Sequence, residues 1–192
     1  MNSFKLLLEK LDATLRRYNF DNYKKLQPPL PESEINSYLK SLGIKDENFK
    51  LLFSWKNGFD FRTEGKTRTQ MFDRGALLTL EYILECKNDD KEDWEKTYIP
   101  LISTNDGDCL LFNNKKGKDY GKLHLYSVSA LFIDNPASFY DSIYTMMETT
   151  IKAYERKILV YSSNDNWLYE DFEEFHRLAK KYNKLSDFWK LD

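Results

Sequence analysis

The chain has 192 residues, of which 41% are hydrophobic, 31% are charged and 16% are aromatic. This length corresponds to about one domain, and so many aromatic side chains can build a hydrophobic core, which excludes a disordered or low-complexity chain. Lys and Arg number 29 against 31 Asp and Glu. Because a non-specific nucleic-acid binder needs an excess of cations, we expect no direct binding to nucleic acid.

Apolar stretches are short throughout the chain. None approaches the roughly 18 apolar residues of a membrane span, and the run Leu6–Leu8 is too short for the core of a signal peptide. Cys86 and Cys109 lack the CxxC spacing of a metal or redox site, so we expect two reduced, buried thiols. These features predict a cytoplasmic protein without membrane contact.

Helical periodicity dominates the first third of the chain. Apolar residues spaced four and three apart predict a helix over 2–18. A second helix is expected to begin near Pro31 and to end at Gly43, because proline suits a first helical turn and glycine a left-handed C-terminus. A third helix is predicted over 46–56, with Asn57-Gly58 as its left-handed stop.

The remainder of the chain mixes helical and strand-like patterns. The predicted elements are a charged hairpin or loop over 62–69, a helix over 77–87, strands over 98–101, 109–112 and 122–126, a strand or helix entry over 129–133, a helix over 136–156 and a helical stripe over 167–182. Short strands mixed with longer helices are typical of the α+β class. We expect the apolar stripe that contains Leu168, Phe172, Phe175 and Tyr182 to pack within the molecule.

Residues suited to catalysis are few. Because side chains alternate along a strand, His124 is expected on the other face from the two leucines beside it. His176 falls on the polar side of the last helix. Both are therefore interpreted as surface or rim histidines. The segment Asn105–Asp108 fits a turn better than a calcium loop, because Leu110 occupies a ligand position. We therefore expect no enzyme, no cofactor and no metal; an enzyme of unknown type would depend only on the two histidines and the acidic loop.

The densest charge in the chain follows the helix predicted over 77–87. The predicted partner-binding set is Asp89, Asp90, Glu92, Asp93 and Trp94. Residues 71–151 hold 14 acidic and 8 basic side chains. Such a run is usually a solvated face; the alternative is a docking patch that steers a basic partner, with an exposed Trp94 as its aromatic anchor.

Several motifs follow one another along the chain in an order typical of one family. They are Leu30-Pro31-Glu32-Ser33-Glu34-Ile35, Leu51-Leu52-Phe53-Ser54-Trp55-Lys56-Asn57-Gly58, Ile99-Pro100-Leu101, the turn Asn105–Asp108, the strand Cys109–Phe112, the lysine-rich turn to Gly121 and the helix from Pro136. In this order they resemble the SUKH superfamily over residues 28–156. The family pattern is matched at Trp55, Asn57, Gly58, Pro100, Gly107 and Asp108, which we interpret as scaffold positions.

The resemblance implies a single α+β domain with a curved, mainly antiparallel sheet flanked by helices. Residues 1–27 would then form an N-terminal helix and connector, and residues 157–192 a C-terminal helical extension packed on the core. Bacterial members of the family resemble immunity proteins that neutralise a polymorphic toxin, often a nuclease, whereas fungal relatives resemble regulators of cell-wall synthesis. The resemblance therefore implies a non-catalytic immunity protein that occludes a cognate protein toxin, with a regulatory scaffold as the alternative.

Overall fold

The computed structural model of the chain describes residues 3–61, 69–89, 94–104, 106–127 and 136–190. Its helices are α1 (Ser3–Tyr18), α2 (Phe20–Tyr23), α3 (Glu32–Leu42), α4 (Glu47–Trp55), α5 (Leu80–Asn88), α6 (Ile143–Glu155) and α7 (Phe172–Tyr182), followed by a short 3₁₀ turn at Phe188–Lys190. Its strands are β1 (Ala76–Leu77), β2 (Tyr98–Ser103), β3 (Cys109–Asn113), β4 (Leu123–Tyr126), β5 (Ala137–Tyr140), β6 (Leu159–Ser162) and β7 (Trp167–Glu170). The predicted α+β class is confirmed.

Five of these strands form one antiparallel sheet in the order β1-β2-β3-β4-β5, so each strand pairs with its neighbours along the chain. The register between β3 and β4 aligns Cys109 with Tyr126 and Leu111 with His124. Strands β6 and β7 form a two-stranded antiparallel hairpin. Because neighbours in sequence are antiparallel neighbours in the sheet, the chain reverses direction from each strand to the next.

One hydrophobic core joins α1 to the C-terminal part of the chain. Leu11 of α1, Phe53 of α4 and Trp189 of the 3₁₀ turn are all buried in it. Helix α6 packs against both α1 and α7. The described residues therefore form a single domain. None of their helices has both the length and the apolar character that crossing a membrane requires.

The three helices predicted in the first third are confirmed as α1, α3 and α4. Gly43 ends α3 with φ at +73°, and the carboxylate of Asp46 caps α4 by accepting a hydrogen bond from a first-turn N–H at 2.8 Å. The predicted stop is displaced, because α4 already ends at Trp55 and Lys56 is extended. Gly58 does have a positive φ, +72°, but it lies beyond the helix.

Three later helices begin after the predicted start. The helix predicted over 77–87 begins at Leu80, the one predicted over 136–156 begins at Ile143, and the stripe predicted over 167–182 becomes helical at Phe172. In each case the residues in front of the helix pair with a neighbouring strand, as β1, β5 and β7. The apolar residues of these short strands continue the spacing of the helix that follows, and the predicted starts were therefore too early.

Two further expectations need correction, and others fall outside the described ranges. Leu168 and Phe175 pack in the core as predicted, but Phe172 is 60% exposed. His124 is only 7% exposed, so its interpretation as a surface histidine is wrong. The element predicted over 129–133 and nearly all of the loop over 62–69 lie outside the residues described here.

Candidate partner-binding surface

The acidic segment begins at the C-terminal end of α5. Asp89 is the C-cap residue of that helix and is exposed. Trp94 is described as well, whereas Asp90, Glu92 and Asp93 lie outside the described residues. An acidic residue is unfavourable at a helix C-terminus, where the backbone carbonyls create a partial negative charge. Asp89 therefore adds its negative charge to the negative end of α5.

Lys96, which follows the acidic segment, forms hydrogen bonds to the backbone where the segment begins. Its Nζ donates to the carbonyl oxygen of Asp89 at 2.6 Å and to that of Lys87 at 3.2 Å. A cation at this position compensates the partial charge of the helix end. Lys87 in turn donates to the carbonyl oxygen of Leu42 at 2.6 Å, which joins α5 to the end of α3. The segment thus leaves and rejoins the fold at fixed points.

Trp94 anchors the segment to the sheet. Its ring centroid lies 4.9 Å from that of Tyr126, and the two ring planes meet at 71°. Trp94 is half-buried and packs with Tyr98 on a small cluster that contains Cys109 and Leu111. The exposed tryptophan expected from the sequence is therefore partly covered, and part of its surface remains available for a partner.

A cavity of about 220 Å³ lies next to Trp94, between α5 and the sheet. Tyr82, Cys86, Cys109 and Tyr126 contribute to its lining. Both cysteines are reduced; Cys109 is buried, as predicted, whereas Cys86 is only half-buried. Sequence reasoning missed this cavity. The only feature of the sequence that pointed to it was the alternation of side chains along β3 and β4. That alternation does not determine the register between the two strands, which aligns Cys109 with Tyr126.

Two of the motif residues join the end of α4 to the start of α5. The side-chain carbonyl of Asn57 accepts a hydrogen bond from the backbone N–H of Leu80 at 3.1 Å, and its amide group donates to a carboxylate oxygen of Glu81 at 3.1 Å. Gly58 follows with its positive φ. This pair therefore supports the helix from which the acidic segment departs.

Trp55 connects α4 to α1. Its indole Nε1 donates to Oδ1 of Asp12 at 2.8 Å, and the hydroxyl of Tyr23 donates to the same oxygen at 2.7 Å. Arg16 donates to the other carboxylate oxygen at 2.6 Å. Burial raises the pKa of Asp12, but these hydrogen bonds outweigh it and hold the pKa below its ordinary value. Trp55 thus has a structural partner.

The remaining motif residues lie around the sheet end next to the cavity. Pro100 is buried in β2, at a register shift in its pairing with β3. Gly107 has φ at +94° in the turn before β3. The carboxylate of Asp108 accepts from the hydroxyl of Ser127 at 2.9 Å. The hydroxyl of Thr104 accepts from the backbone N–H of Asp108 at 3.1 Å, which supports the predicted turn.

His124 belongs to the packing of the sheet. Its Nδ1 donates to the carbonyl oxygen of Pro136 at 2.7 Å, and its ring lies 5.2 Å from that of Tyr98. Burial lowers the pKa of His124 below its ordinary value, which favours the neutral ring. His176 is half-buried, with its ring 5.4 Å from that of Trp189. The two histidines lie in separate environments.

No protein-family model matches the chain, and a search of curated proteins found no match either. Function is therefore inferred from this surface and from the order of the sequence motifs.

Proposed function

We propose that this protein is a cytoplasmic immunity protein, a non-catalytic inhibitor that binds a cognate toxin and occludes its active site. The motif order over residues 28–156 resembles the SUKH superfamily, and an α+β fold with an antiparallel sheet is what that resemblance implies. The observation that carries the proposal is an acidic segment held at both ends, by Lys96 at Asp89 and by the packing of Trp94.

The acidic segment suits a basic partner for a physical reason. Asp89 stands at the negative end of α5, so its carboxylate adds to the negative potential of the helix end, and a basic partner would be attracted to both. A nuclease presents a cationic cleft to its substrate, and an acidic surface competes with nucleic acid for that cleft. We therefore assign the toxin to the class of nucleases.

Charge and aromatic contact would contribute to binding in different ways. The acidic excess of residues 71–151 would raise the association rate by electrostatic steering. Trp94, already half-buried on its own sheet, would lose little conformational freedom on binding and would slow dissociation. A stable inhibitory interface buries about 1,600 Å² in total, so it must extend beyond the segment onto neighbouring surface.

The test is association with the product of a toxin gene next to the gene for this protein. We expect the combined change of Asp89, Asp90, Glu92 and Asp93 to Lys to slow association at least about tenfold at low salt. The deficit should shrink as salt screens the charges. The matched control changes four exposed acids elsewhere, Glu9, Glu34, Glu47 and Glu173, to Lys and alters the net charge equally.

The outcomes separate the possible functions. Slower association in the first variant alone, together with loss of protection from the toxin, supports the proposal. Equal slowing by both variants would show that overall charge, not this segment, steers binding, and an association rate insensitive to salt would exclude electrostatic steering. A gene without a toxin neighbour, whose product binds several partners and protects from none, would instead indicate the regulatory scaffold.

A further inference from the structure

Three aromatic side chains from different elements line the cavity beside the acidic segment. Tyr82 lies on α5, Tyr126 ends β4, and Trp94 precedes β2. The ring planes of Trp94 and Tyr126 meet at 71° with their centroids 4.9 Å apart, so the two rings form adjoining walls. The volume of about 220 Å³ is smaller than the roughly 300–1,000 Å³ of typical ligand pockets. It suits a single side chain.

Acidic residues flank this cavity along the chain. Gly107 contributes to its lining and lies between Asp106 and Asp108, while Cys86 contributes from α5 one helical turn before Asp89. The lining residues in the described part of the chain include no lysine, arginine or histidine. Aromatic ring faces attract a cation within about 6 Å. The chemistry therefore favours an organic cation.

We propose that this aromatic cavity is the docking site for one arginine side chain of the partner protein. A planar guanidinium stacks on aromatic rings and is weakly hydrated, so it loses less than an ammonium on entering a half-buried cavity. Arginine is also enriched among the residues that dominate binding energy at interfaces. The identity of the partner as the toxin rests on the proposed function, whereas the cationic preference of the cavity does not.

The first experiment uses the full chain without any partner. Nα-acetyl-arginine amide is compared with Nα-acetyl-citrulline amide, which has nearly the same shape but no charge. Binding is followed through the indole N–H signal of Trp94 in ¹⁵N-resolved spectra, and through protection of Cys86 from alkylation. We expect arginine to bind at least about threefold more tightly than citrulline and to protect the thiol. Equal binding of the two amides would overturn the inference.

Two variants locate the binding. Trp94→Leu removes one wall of the cavity, and Tyr169→Leu removes a 51% exposed aromatic ring from the β6–β7 hairpin. Because Trp94→Leu lacks the indole signal, the preference is followed in both variants through protection of Cys86; we expect the first variant to lose the preference for arginine and the second to retain it. A folded Trp94→Leu protein that still prefers arginine would place the cation elsewhere and reject the cavity. The comparison of amides on the unmodified chain does not depend on either variant.

A final measurement separates the cavity from the toxin. If the neighbouring toxin binds, its interfacial arginines are changed to alanine one at a time. We expect one of these changes to lower the affinity of the toxin for the unmodified protein but not its affinity for Trp94→Leu. If no such arginine exists while free arginine still binds, the toxin is rejected as the cavity's partner, but the immunity function remains. If arginine binds and no toxin associates at all, the proposed function fails and the cationic cavity remains.

Discussion

Gly58 lies where the chain passes against the backbone after β1. Its φ is +72°, and a Cβ there would be 2.2 Å from the carbonyl oxygen of Leu78, whereas Gly43 has φ at +73° but open space, with the nearest atom 3.9 Å away. Both positions strain an alanine, but only Gly58 also meets a backbone clash. We expect Gly43→Ala to lose about 1 kcal/mol of unfolding free energy and Gly58→Ala more than about 2 kcal/mol, measured in urea. Equal losses would contradict the close approach.

A buried carboxylate forms the centre of a polar cluster that sequence reasoning did not identify. The side chain of Asp73 is fully buried; its Oδ1 accepts from the hydroxyl of Tyr140 at 2.6 Å, and its Oδ2 lies 3.4 Å from Nε of Arg74. Burial raises the pKa of Asp73 and raises that of Tyr140 well above its ordinary value. Glu170 on β7 brings a second carboxyl group to the same region, and its pKa is raised in part by Asp73.

Glu170 should make stability depend on pH. Burial and the neighbouring Asp73 raise its pKa from 4.5 to about 7. Between these values the folded chain holds a proton that the unfolded chain releases, so the unfolding free energy falls as pH rises from about 4.5 to about 7. Glu170→Gln should flatten this decline in urea titrations at pH 5, 6 and 7, leaving a residual slope from Asp73.

The control for this pH effect is Glu173→Gln, which changes an exposed glutamate three residues further along the chain. Its pH profile should run parallel to that of the unmodified protein. If Glu170→Gln also ran parallel, the carboxyl group of Glu170 would have to be ionised throughout this range, contrary to its burial.

At the scale of elements, the end of α5 depends on a contact from outside the helix. Lys96 donates to the carbonyl oxygens of Lys87 and Asp89 at the C-terminal end of the helix, the end at which the last carbonyls of an α-helix need partners from outside its own ladder. We expect Lys96→Met to lose about 1 kcal/mol of stability and to speed amide hydrogen exchange around Asp89. Lys115→Met is the control, because Lys115 pairs with Glu95 at 3.3 Å on open surface and such pairs contribute little. Similar exchange in both variants would show that Lys96 does not hold the segment.

The elements that could be predicted are those whose signals are local. Helices α1, α3 and α4 carry their own apolar stripe and terminal residues, so the sequence was sufficient to predict them. Strands β5 and β7 have only four residues each, too few to establish alternation. Phe139 and Leu168 also fit the apolar spacing of the helices that follow them in the chain. What makes these segments strands is hydrogen bonding to β4 and β6, which no local pattern encodes.

For the whole molecule, the candidate surface has one part that could be predicted from local sequence and one part that could not. Its charge was visible from the sequence, since acids that follow one another are neighbours in any fold. The cavity was not, because Tyr82, Trp94 and Tyr126 are brought together by sheet register and by the packing of α5. His124 was misplaced for a related reason. Alternation predicts a solvated face only when one side of a sheet is open, and here both Leu111 and Phe112 are buried.

The C-terminal segment should unfold together with the rest of the molecule. Trp189 is 1% exposed, its ring centroid lies 4.4 Å from that of Phe139, and its indole donates to the carbonyl oxygen of that residue at 2.6 Å. Since the same core contains Leu11 of α1, both ends of the fold share one cooperative unit. We expect Trp189→Ala to lose about 3–5 kcal/mol in a single transition with equal calorimetric and van't Hoff enthalpies.

The control for this cooperativity is Leu185→Ala, in the same segment but 64% exposed, which should change stability by less than about 0.5 kcal/mol. A Trp189→Ala protein that melts in two steps, with the later step at the original temperature, would show that residues 157–190 form a separate unit docked on an independent core. A single step at lower temperature is expected instead, because Trp189 contacts β5, and β5 pairs directly with the strand that carries His124 and Tyr126.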